Sequence, residues 1–392
     1  MLINIILVLF FLVLAFFFIN RKKKNKRAKH QYSNLVDNHK TSSQKNRKRS
    51  APVKAINESY MDENKTSVFS DLKKLAEPVV VPDGFLSFKT FTSEKLDSKQ
   101  QKIISDISQS FKKPHPLLLP LTQRTFEPNE LFDLIKTDTE MTAKVLNAVN
   151  SPLFGLDKPI TNINHAIIFM GVGEVKNIAL QCAMNQGMEF TDKNQNEAYN
   201  KLWKASYLAS SFCLLFAKEL GEKSSAELST NCLLSYLGDL AILSYKPKLA
   251  SFYLDDFTLF ERTKIFQELL GTNAAVVGKF LAQQWELPTS IESGIEHSIL
   301  PLTDTMTNSQ LSDENLGQLL LCYLSCRLGD LVAFNGLSDI PEIEEVSFET
   351  LGKIEFYYTQ NNIQNSGFDK INSVIRDPAF RKKLNKVISK LG

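Results

Sequence analysis

The spacing of its apolar residues is the feature that most constrains the fold of this chain of 392 residues. From Asp97 onward, apolar side chains recur three and four positions apart, which places them along one face of an α-helix. The segments with this pattern are 130–136, 140–149, 163–169, 175–184, 197–220, 225–243, 274–285 and 314–334. No run alternates polar and apolar residues in the way that a half-buried strand does. The sequence therefore predicts an all-α fold.

The N-terminus carries an apolar run of a different kind. Between residues 2 and 19 the only polar side chain is that of Asn4, and a helix of this length spans about 27 Å, close to the hydrocarbon thickness of a bilayer. A secretory signal has basic residues before its apolar core and small residues after it, and this run has neither. Basic residues follow it instead, at Arg21, Lys22, Lys23, Lys24, Lys26 and Arg27. By the positive-inside rule, residues 1–20 are predicted to anchor the chain in the inner (cytoplasmic) membrane, with the rest in the cytoplasm.

The charge distribution separates a basic tether from an acidic remainder. Residues 21–54 contain thirteen Lys or Arg and one acid, Asp37, giving +12, whereas the chain after Lys54 carries −9. Basic residues beside a bilayer are attracted to anionic headgroups, so contact with the lipid bilayer explains this cluster. The acidic remainder argues against nucleic acid as a partner.

Composition also predicts the order of the segments. Residues 21–65 are rich in Lys, Asn, Ser and Gln and contain few large apolar side chains, which is typical of a disordered tether. The predicted organisation is an anchor at 1–20, the tether at 21–65, an irregular lead-in at 66–99, a helical domain at 100–335 and a C-terminal helical extension at 336–392.

The C-terminal extension ends in a basic amphipathic helix. Asp377 followed by Pro378 is a helix start, with a capping side chain and then proline at the first helical position. Phe380, Leu384, Val387, Ile388 and Leu391 fall on one stripe opposite a basic face. Such a helix either docks on its own domain or lies on a membrane surface.

The cysteines are five, at positions 182, 213, 232, 322 and 326, and all lie in apolar surroundings. This usage is consistent with reduced, buried thiols in a cytosolic compartment. Cys322 and Cys326 are one helical turn apart, a spacing that a zinc site can use, but the sequence shows no two further ligands near them. No metal is therefore predicted there.

One region carries a recognisable order of motifs. Between Leu117 and Leu180 the chain contains Leu119–Pro120, Asp138, Asn150–Ser151, Phe154–Gly155 and a helix end at Ala166–Gly171, and farther on Trp203, Gly238, Trp285, Pro288 and His297. In order and spacing this pattern resembles the HDOD domain, a bacterial signalling module related to the HD metal-dependent phosphohydrolases. The resemblance covers roughly residues 100–335. It implies an α-helical module that responds to, or recruits, other proteins in bacterial signal transduction.

Most of the motif residues are predicted to be architectural. Asp138 can cap a following helix, Asn150 and Ser151 can end one by bonding loose backbone groups, and Gly171 permits a tight turn. The residues assigned this role are Pro120, Asp138, Asn150, Ser151, Gly171, Trp285 and Pro288.

The metal ligands of the related enzymes are missing from this chain. Such a site needs several His and Asp side chains around one or two cations. The resemblance places a histidine shortly after the Trp, where this chain has Ala205, and a His-Asp dyad before a glycine, where it has Ser235–Tyr236. The resemblance therefore implies a vestigial pocket, without catalytic residues, metal or cofactor, formed by Trp203, Ala205, Ser235, Tyr236, Asp239, His297 and Asp330.

Three functions remain open from the sequence. The first is a membrane-anchored, non-catalytic signalling or scaffold protein that acts through the protein partners of a signalling pathway. The second is a receptor for a small ligand, such as a cyclic nucleotide, in the vacated pocket, and the third is a residual metal-dependent phosphohydrolase. A pocket lined by Trp203, Ser235, Tyr236 and His297 would favour the receptor, whereas a filled core would argue against it.

Overall fold

The structure is a computed structural model that describes residues 81–123, 125–150, 156, 158–184, 192–303, 312–340, 353–366 and 368–389. The predicted anchor at 1–20, with the basic residues that flank it, and the tether at 21–65 lie outside the described residues. The same holds for residues 66–80 of the lead-in and for Ser151.

All regular secondary structure in the described part of the chain is helical, which confirms the all-α prediction. In chain order the α-helices are α1 (Ser98–Ser110), α2 (Leu118–Gln123), α3 (Pro128–Lys136), α4 (Thr139–Val149), α5 (Ile163–Met170), α6 (Val172–Met184), α7 (Lys193–Leu220), α8 (Ser225–Leu234), α9 (Leu237–Tyr245), α10 (Ser251–Leu254), α11 (Leu259–Leu270), α12 (Ala274–Gln284), α13 (Thr289–Glu296), α14 (Asp313–Asn335), α15 (Thr359–Ser366), α16 (Lys370–Arg376) and α17 (Pro378–Ser389). Short 3-10 turns occur at Ser93–Lys95, Pro247–Ala250, Leu300–Leu302 and Ile354–Phe356.

The motif residues bound these helices as their chemistry predicts. The carboxylate of Asp138 accepts the Met141 backbone N–H at 2.8 Å at the start of α4, and its other oxygen lies 3.2 Å from Nε2 of the buried His115. Asn150 follows α4, and its side chain forms two 2.7 Å hydrogen bonds with the backbone of Ile160. Gly171 ends α5 with φ = 94°, a conformation that favours glycine. In the structure, each of these three residues lies at the end of a helix.

The two remaining prolines and Trp285 also serve the helices. Pro120 lies within the short helix α2, and Pro288 precedes α13. Trp285 follows the last residue of α12 and stacks on Phe111, with ring centroids 5.9 Å apart.

The centre of the domain is the pair of long helices α7 and α14. They cross at Gly329, where an added Cβ would lie 2.7 Å from the Ala205 carbonyl oxygen and 3.0 Å from the Ala209 nitrogen. Ala205 itself is fully buried at this crossing. A small residue on each helix thus lets the two backbones approach closely.

The prediction of one helix over residues 225–243 was wrong, because the chain breaks at Ser235 and Tyr236 into α8 and α9. The Ser235 hydroxyl and N–H both bond to the Asn231 carbonyl oxygen, which closes α8. Helix α9 then packs on α12 so tightly that a Cβ on Gly238 would lie 1.8 Å from the Ala274 carbonyl oxygen. This contact between segments far apart in sequence sets the break.

The described part of the lead-in wraps along the helical domain. The Gln267 side chain accepts the Phe91 N–H at 2.8 Å and donates to the Lys89 carbonyl oxygen at 3.0 Å. Farther along, Lys279 donates to the Ser93 hydroxyl at 2.7 Å. Side chains of the helical domain thus bond to the backbone of the lead-in, which explains how the irregular stretch before the Ser93–Lys95 turn is fixed.

The C-terminal helix α17 docks on α7. Its Phe380 ring lies 4.7 Å from that of Phe216, and Lys383 pairs with Glu219 at 2.8 Å. Phe380, Leu384 and Ile388 are buried. Docking, the first of the two interpretations of this helix, is confirmed, since the described apolar stripe is already covered.

Length and composition alone would allow one described helix, Asn315–Asn335, to cross a membrane. Of its most apolar stretch, 83% is buried within the domain, which is the packing of a core helix.

Candidate functional site

A small cavity with a mixed polar and apolar lining lies at the break between α8 and α9, closed by α11, α12, the end of α13 and α14. Its volume is about 20 Å³, and its polar lining includes Ser235, Tyr236, Asp239, Arg262, Ser298 and Arg327. This is room for about one water molecule.

A buried ion pair from α14 reaches into this region. Arg327 Nη1 lies 3.1 Å from Asp330 Oδ2, and the exposed fractions of the two side chains are 7% and 12%. The Tyr236 hydroxyl donates to Asp330 Oδ1 at 2.8 Å and lies 3.0 Å from the Cys326 carbonyl oxygen. The Arg327 guanidinium also lies over the Tyr323 ring, 5.3 Å from its centroid. Tyr236, which stands where the resemblance places the His-Asp dyad, is thus hydrogen-bonded to the Arg327–Asp330 pair.

A second polar group closes the other side of the cavity. The Tyr253 hydroxyl donates to Asp239 Oδ1 at 2.8 Å. The Arg262 guanidinium lies near two neighbouring rings, those of Tyr253 and Phe334, at 5.2 and 5.3 Å from their centroids. Arg262 Nη1 donates to the Phe257 carbonyl oxygen at 3.4 Å. Arg262 is held by aromatic faces and backbone, which fixes its positive charge beside Asp239.

The electrostatics of the site follow from burial and from these arginines. Burial raises the pKa of the Tyr236 hydroxyl well above its usual value, and the Asp330 carboxylate raises it further. Burial also raises the pKa of Asp239, an effect that the charge of Arg262 partly opposes. For Arg327, burial lowers the pKa, but Asp330 together with Tyr236, Tyr323 and Cys326 outweighs this effect, and the net pKa is raised. The site therefore balances its carboxylates with guanidinium groups, and a further cation would be repelled by both arginines.

The vestigial pocket predicted from the sequence is brought together only in part. Ser235, Tyr236 and Asp239 line the cavity, and Asp330 joins it through Tyr236. His297 ends α13 one residue before the lining residue Ser298, but it does not line the cavity.

The prediction was wrong for Trp203 and Ala205, because neither residue lines the cavity. Trp203 is half-buried and stacks on Tyr207, with ring centroids 6.1 Å apart, and its carbonyl oxygen accepts from Gln181 at 3.1 Å. Ala205 is used at the close crossing of α7 and α14. The physical reason is that this stretch of α7 packs against other helices and not beside the α8–α9 break.

Sequence reasoning missed Arg262, Tyr253 and Arg327. A signal existed for Arg327, because it and Asp330 are the only charged residues between 319 and 334. An Arg and an Asp three residues apart on an otherwise apolar helix indicate a buried ion pair. No comparable signal marks Arg262, which lies in a segment of mixed polarity.

The described residues contain one further cavity of note and one exposed apolar pair. The cavity is a groove of about 350 Å³ between α1 and α12, lined by Ser105, Ser108, Gln109, Phe280, Gln283 and Gln284, without a charged side chain. The apolar pair is Ile168 and Phe169 at the end of α5, whose exposed fractions are 76% and 61%. Large apolar side chains this exposed are typical of contact surfaces.

Four of the five cysteines converge in the core, away from this groove. The Sγ atoms of Cys213, Cys232 and Cys322, from α7, α8 and α14, all lie within 4.8 Å of one another. Cys326 lies one turn from Cys322, and its Sγ is 3.8 Å from the Cys232 carbonyl oxygen. The prediction that Cys322 and Cys326 have no further potential ligands near them was wrong, since α7 and α8 bring two thiols to α14.

Comparison with known proteins places this geometry in context. The family model of the HDOD domain matches residues 116–301. An uncharacterized protein of Treponema pallidum (strain Nichols) is 25% identical over an alignment of 236 residues, and the match covers 57% of this chain and 43% of that protein. The match thus spans less than half the length of that relative.

Two solved structures are also similar. A protein from Shewanella amazonensis SB2B, provisionally named a phosphohydrolase, is 14% identical with a TM-score of 0.46, over 75% of this chain and 98% of its own. An HDOD domain protein with unknown function from Geobacter sulfurreducens is 17% identical with a TM-score of 0.40, over 79% of this chain and 98% of its own.

Proposed function

We propose that the chain is a non-catalytic signalling or scaffold protein, anchored in the inner membrane, that acts through protein contacts of an HDOD-like domain; the match of the HDOD family model to residues 116–301 supports this proposal. One observation carries the proposal. The position that the resemblance gives to the His-Asp dyad holds Ser235 and Tyr236, and Tyr236 is engaged by the buried Arg327–Asp330 pair.

The absence of catalysis is supported by the chemistry of the donor set. A hydrolytic metal needs several deprotonated ligands and one open coordination position. The Tyr236 hydroxyl has a raised pKa and donates a hydrogen bond to the Asp330 carboxylate, which also pairs with Arg327. Ser235 offers only a neutral hydroxyl that already bonds to the backbone of α8. The Ser235 and Tyr236 hydroxyls are therefore better suited to these hydrogen bonds than to binding a metal.

The size of the cavity supports the same conclusion. Pockets for small ligands are typically about 300–1,000 Å³, whereas this cavity is about 20 Å³. A cyclic nucleotide or a phosphorylated substrate would need to displace the Arg327–Asp330 pair. The groove between α1 and α12 has the volume for a ligand, but its lining residues include no cation to bind a phosphate.

Protein contact is supported by the exposed pair at the end of α5. Ile168 and Phe169 place adjacent large apolar side chains in solvent, and the turn at Gly171 fixes where the helix ends. Anchors of this kind carry much of the binding energy in protein interfaces when a partner desolvates them. We propose this pair as the contact point of the domain with its partner.

The contact is tested by photo-crosslinking in the native bacterium. A photoreactive amino acid replaces Phe169 in the full-length chain, and the matched control replaces the exposed Lys223 instead. We expect a discrete covalent adduct at Phe169 that is lost when Ile168→Ser is added, and no such adduct at Lys223. Equal labelling at both positions would contradict the proposed contact.

Catalysis is tested on the purified full-length chain with phosphodiester and nucleotide substrates and added Mn²⁺ or Mg²⁺. We expect the substrates to remain intact. Hydrolysis that His297→Ala abolishes would overturn the non-catalytic proposal in favour of a residual phosphohydrolase.

The membrane anchor is tested by topology. A reporter fused after residue 60 should behave as cytoplasmic, and the chain should stay with the membrane fraction after carbonate extraction. Neutral residues in place of the basic cluster 21–27 should weaken the orientation. A reporter active outside the cytoplasm would refute the anchor.

A further inference from the structure

The thiol cluster in the core has no role in the proposed function. Cys213, Cys232 and Cys322 come from three helices that are far apart in sequence, and their exposed fractions are 0%, 0% and 7%. All three Sγ atoms lie within 4.8 Å of one another. Cys182, the fifth cysteine, is half-buried on α6 and is not part of this cluster.

We propose that Cys213, Cys232 and Cys322 form a structural zinc site that joins α7, α8 and α14. The proposal is independent of the signalling function, because none of the three thiols lines the cavity beside Tyr236.

The geometry of the cluster suits Zn²⁺. Four ligands at about 2.3 Å in a tetrahedron stand about 3.8 Å apart. The three sulfur atoms are already within 4.8 Å of one another, so rotamer adjustments of less than about 1 Å bring them to bonding positions. The cluster thus brings three potential ligands together from three separate helices.

Helix α14, which carries Cys322, also offers a fourth ligand. The Ser325 hydroxyl is fully buried beside the Cys213 thiol, the group to which it can hydrogen-bond. Apart from that thiol, no hydrogen-bond partner lies within reach of this oxygen among the described residues, so its polar surroundings are those of the cluster. As a neutral oxygen it can complete a tetrahedral shell.

Charge selects zinc among the thiophilic cations. Three thiolates around Zn²⁺ carry a net −1, whereas three thiolates around Cu⁺ carry −2, and uncompensated charge in a dry core is costly. A neutral Ser325 hydroxyl as the fourth ligand keeps the net charge at −1, whereas a Cys326 thiolate would make it −2. The arrangement therefore favours zinc with three thiolates and one oxygen.

Binding exchanges protons for metal and involves no electron transfer. Cys322 Sγ lies 3.6 Å from the Leu228 carbonyl oxygen, and Cys232 Sγ lies 3.6 Å from the Cys322 carbonyl oxygen. Both thiols are therefore protonated and donate hydrogen bonds to backbone carbonyls of the neighbouring helix. Three Zn–S bonds form as three S–H bonds break, and the three protons pass to solvent. Since the cluster is buried, we expect the metal to enter while the chain folds.

The competing explanation is that the thiols only pack, as small apolar groups with weak donors. The two are separated by refolding the full-length chain in detergent under reducing, oxygen-free conditions with Zn²⁺, Cd²⁺ or Cu⁺. After removal of free metal, elemental analysis gives the amount retained, and ultraviolet absorption reports thiolate-to-Cd²⁺ charge transfer.

We expect one Zn²⁺ or Cd²⁺ per chain, a Cd²⁺–thiolate band, and a higher Tm for the zinc-refolded chain than for the metal-free one. Cys232→Ser and Cys322→Ser should each lose the retained metal, and the matched control Cys182→Ser should keep it. Cys213→Ala should lose the metal as well, because an alanine side chain has no atom that could replace the thiol as a ligand.

If the variants fail to fold, X-ray absorption of the zinc-refolded wild type still decides the matter, because a shell of three sulfurs is expected. A folded wild type that retains no metal, or a metal shell without sulfur, would overturn the site. Retention of Cu⁺ with exclusion of Zn²⁺ would overturn its assignment to zinc.

Discussion

Replacing Arg327 by methionine tests whether the candidate site is filled by its own ion pair. The change removes the guanidinium but keeps most of the side-chain length. It leaves the Asp330 carboxylate, whose side chain is 12% exposed, with the Tyr236 hydroxyl as its remaining hydrogen-bond donor among the described residues. Removing one partner of a buried pair costs about 3–5 kcal/mol, since an uncompensated charge stays in the core. We therefore expect the free energy of unfolding of Arg327→Met to fall by that amount.

The double variant Arg327→Met/Asp330→Leu separates charge from packing. It removes both charges, and apolar replacement of a buried pair is often close to neutral. We expect it to cost less than about 2 kcal/mol, so that the second substitution recovers stability lost in the first. Both variants are measured by denaturant unfolding of the full-length chain followed by far-ultraviolet circular dichroism.

A surface pair of the same spacing provides the control. Lys136 and Asp133 also pair at i,i+3, but their side chains are 52% and 62% exposed. Lys136→Met should change the free energy of unfolding by less than about 1 kcal/mol, as is usual for exposed pairs. If Arg327→Met costs no more than this control, Asp330 is hydrated, and the reasoning that the site is closed to ligands fails.

Three further predictions test the packing and the buried charge of the domain. Gly238→Ala should destabilise by at least about 3 kcal/mol, because its Cβ would lie 1.8 Å from the Ala274 carbonyl oxygen and the backbone must move; a cost under about 1 kcal/mol would contradict the close approach of α9 and α12. Burial lowers the pKa of Lys176 to about 8, so the folded chain binds fewer protons than the unfolded chain above that pH. The free energy of unfolding of the wild type, relative to that of Lys176→Met, should therefore rise by about 2 kcal/mol between pH 8 and 9.5, as measured by denaturant unfolding. A difference between the two proteins that does not change with pH would refute the lowered pKa. Trp285→Ala should cost about 2 kcal/mol, less than a fully buried tryptophan, because Trp285 is half-buried against Phe111; an unchanged Tm would mean that the stacking contributes nothing.

The helices were predictable from the sequence because their signals are local. The periodicity of 163–169 and the Asp377–Pro378 start both lie within a few residues of the helix they define. The break at Ser235–Tyr236 was not predictable in this way. It depends on the contact of Gly238 with Ala274, which is 36 residues away along the chain, and nothing in the local pattern of 225–243 reports it.

The site was predictable only where the chain itself carried the contrast. Arg327 and Asp330 are conspicuous in an apolar helix, and their pairing follows from the cost of burying a single charge. The cysteines behave differently, since a thiol is ordinary in apolar surroundings and gives no signal of its partners. Only the packing of α7 and α8 on α14 brings Cys213 and Cys232 to Cys322.

The two buried carboxylates of the site, Asp239 and Asp330, need compensation of their charge. A buried carboxylate needs either a cation or a proton, and Asp330 has Arg327 within 3.1 Å while Asp239 has a raised pKa and the Tyr253 hydroxyl. Arginine can supply the positive charge that a metal would otherwise provide, but it is covalently fixed and presents no open coordination position for a substrate. On the non-catalytic function proposed above, the arginines hold the charge of these carboxylates inside the core, and other molecules contact the domain at its surface.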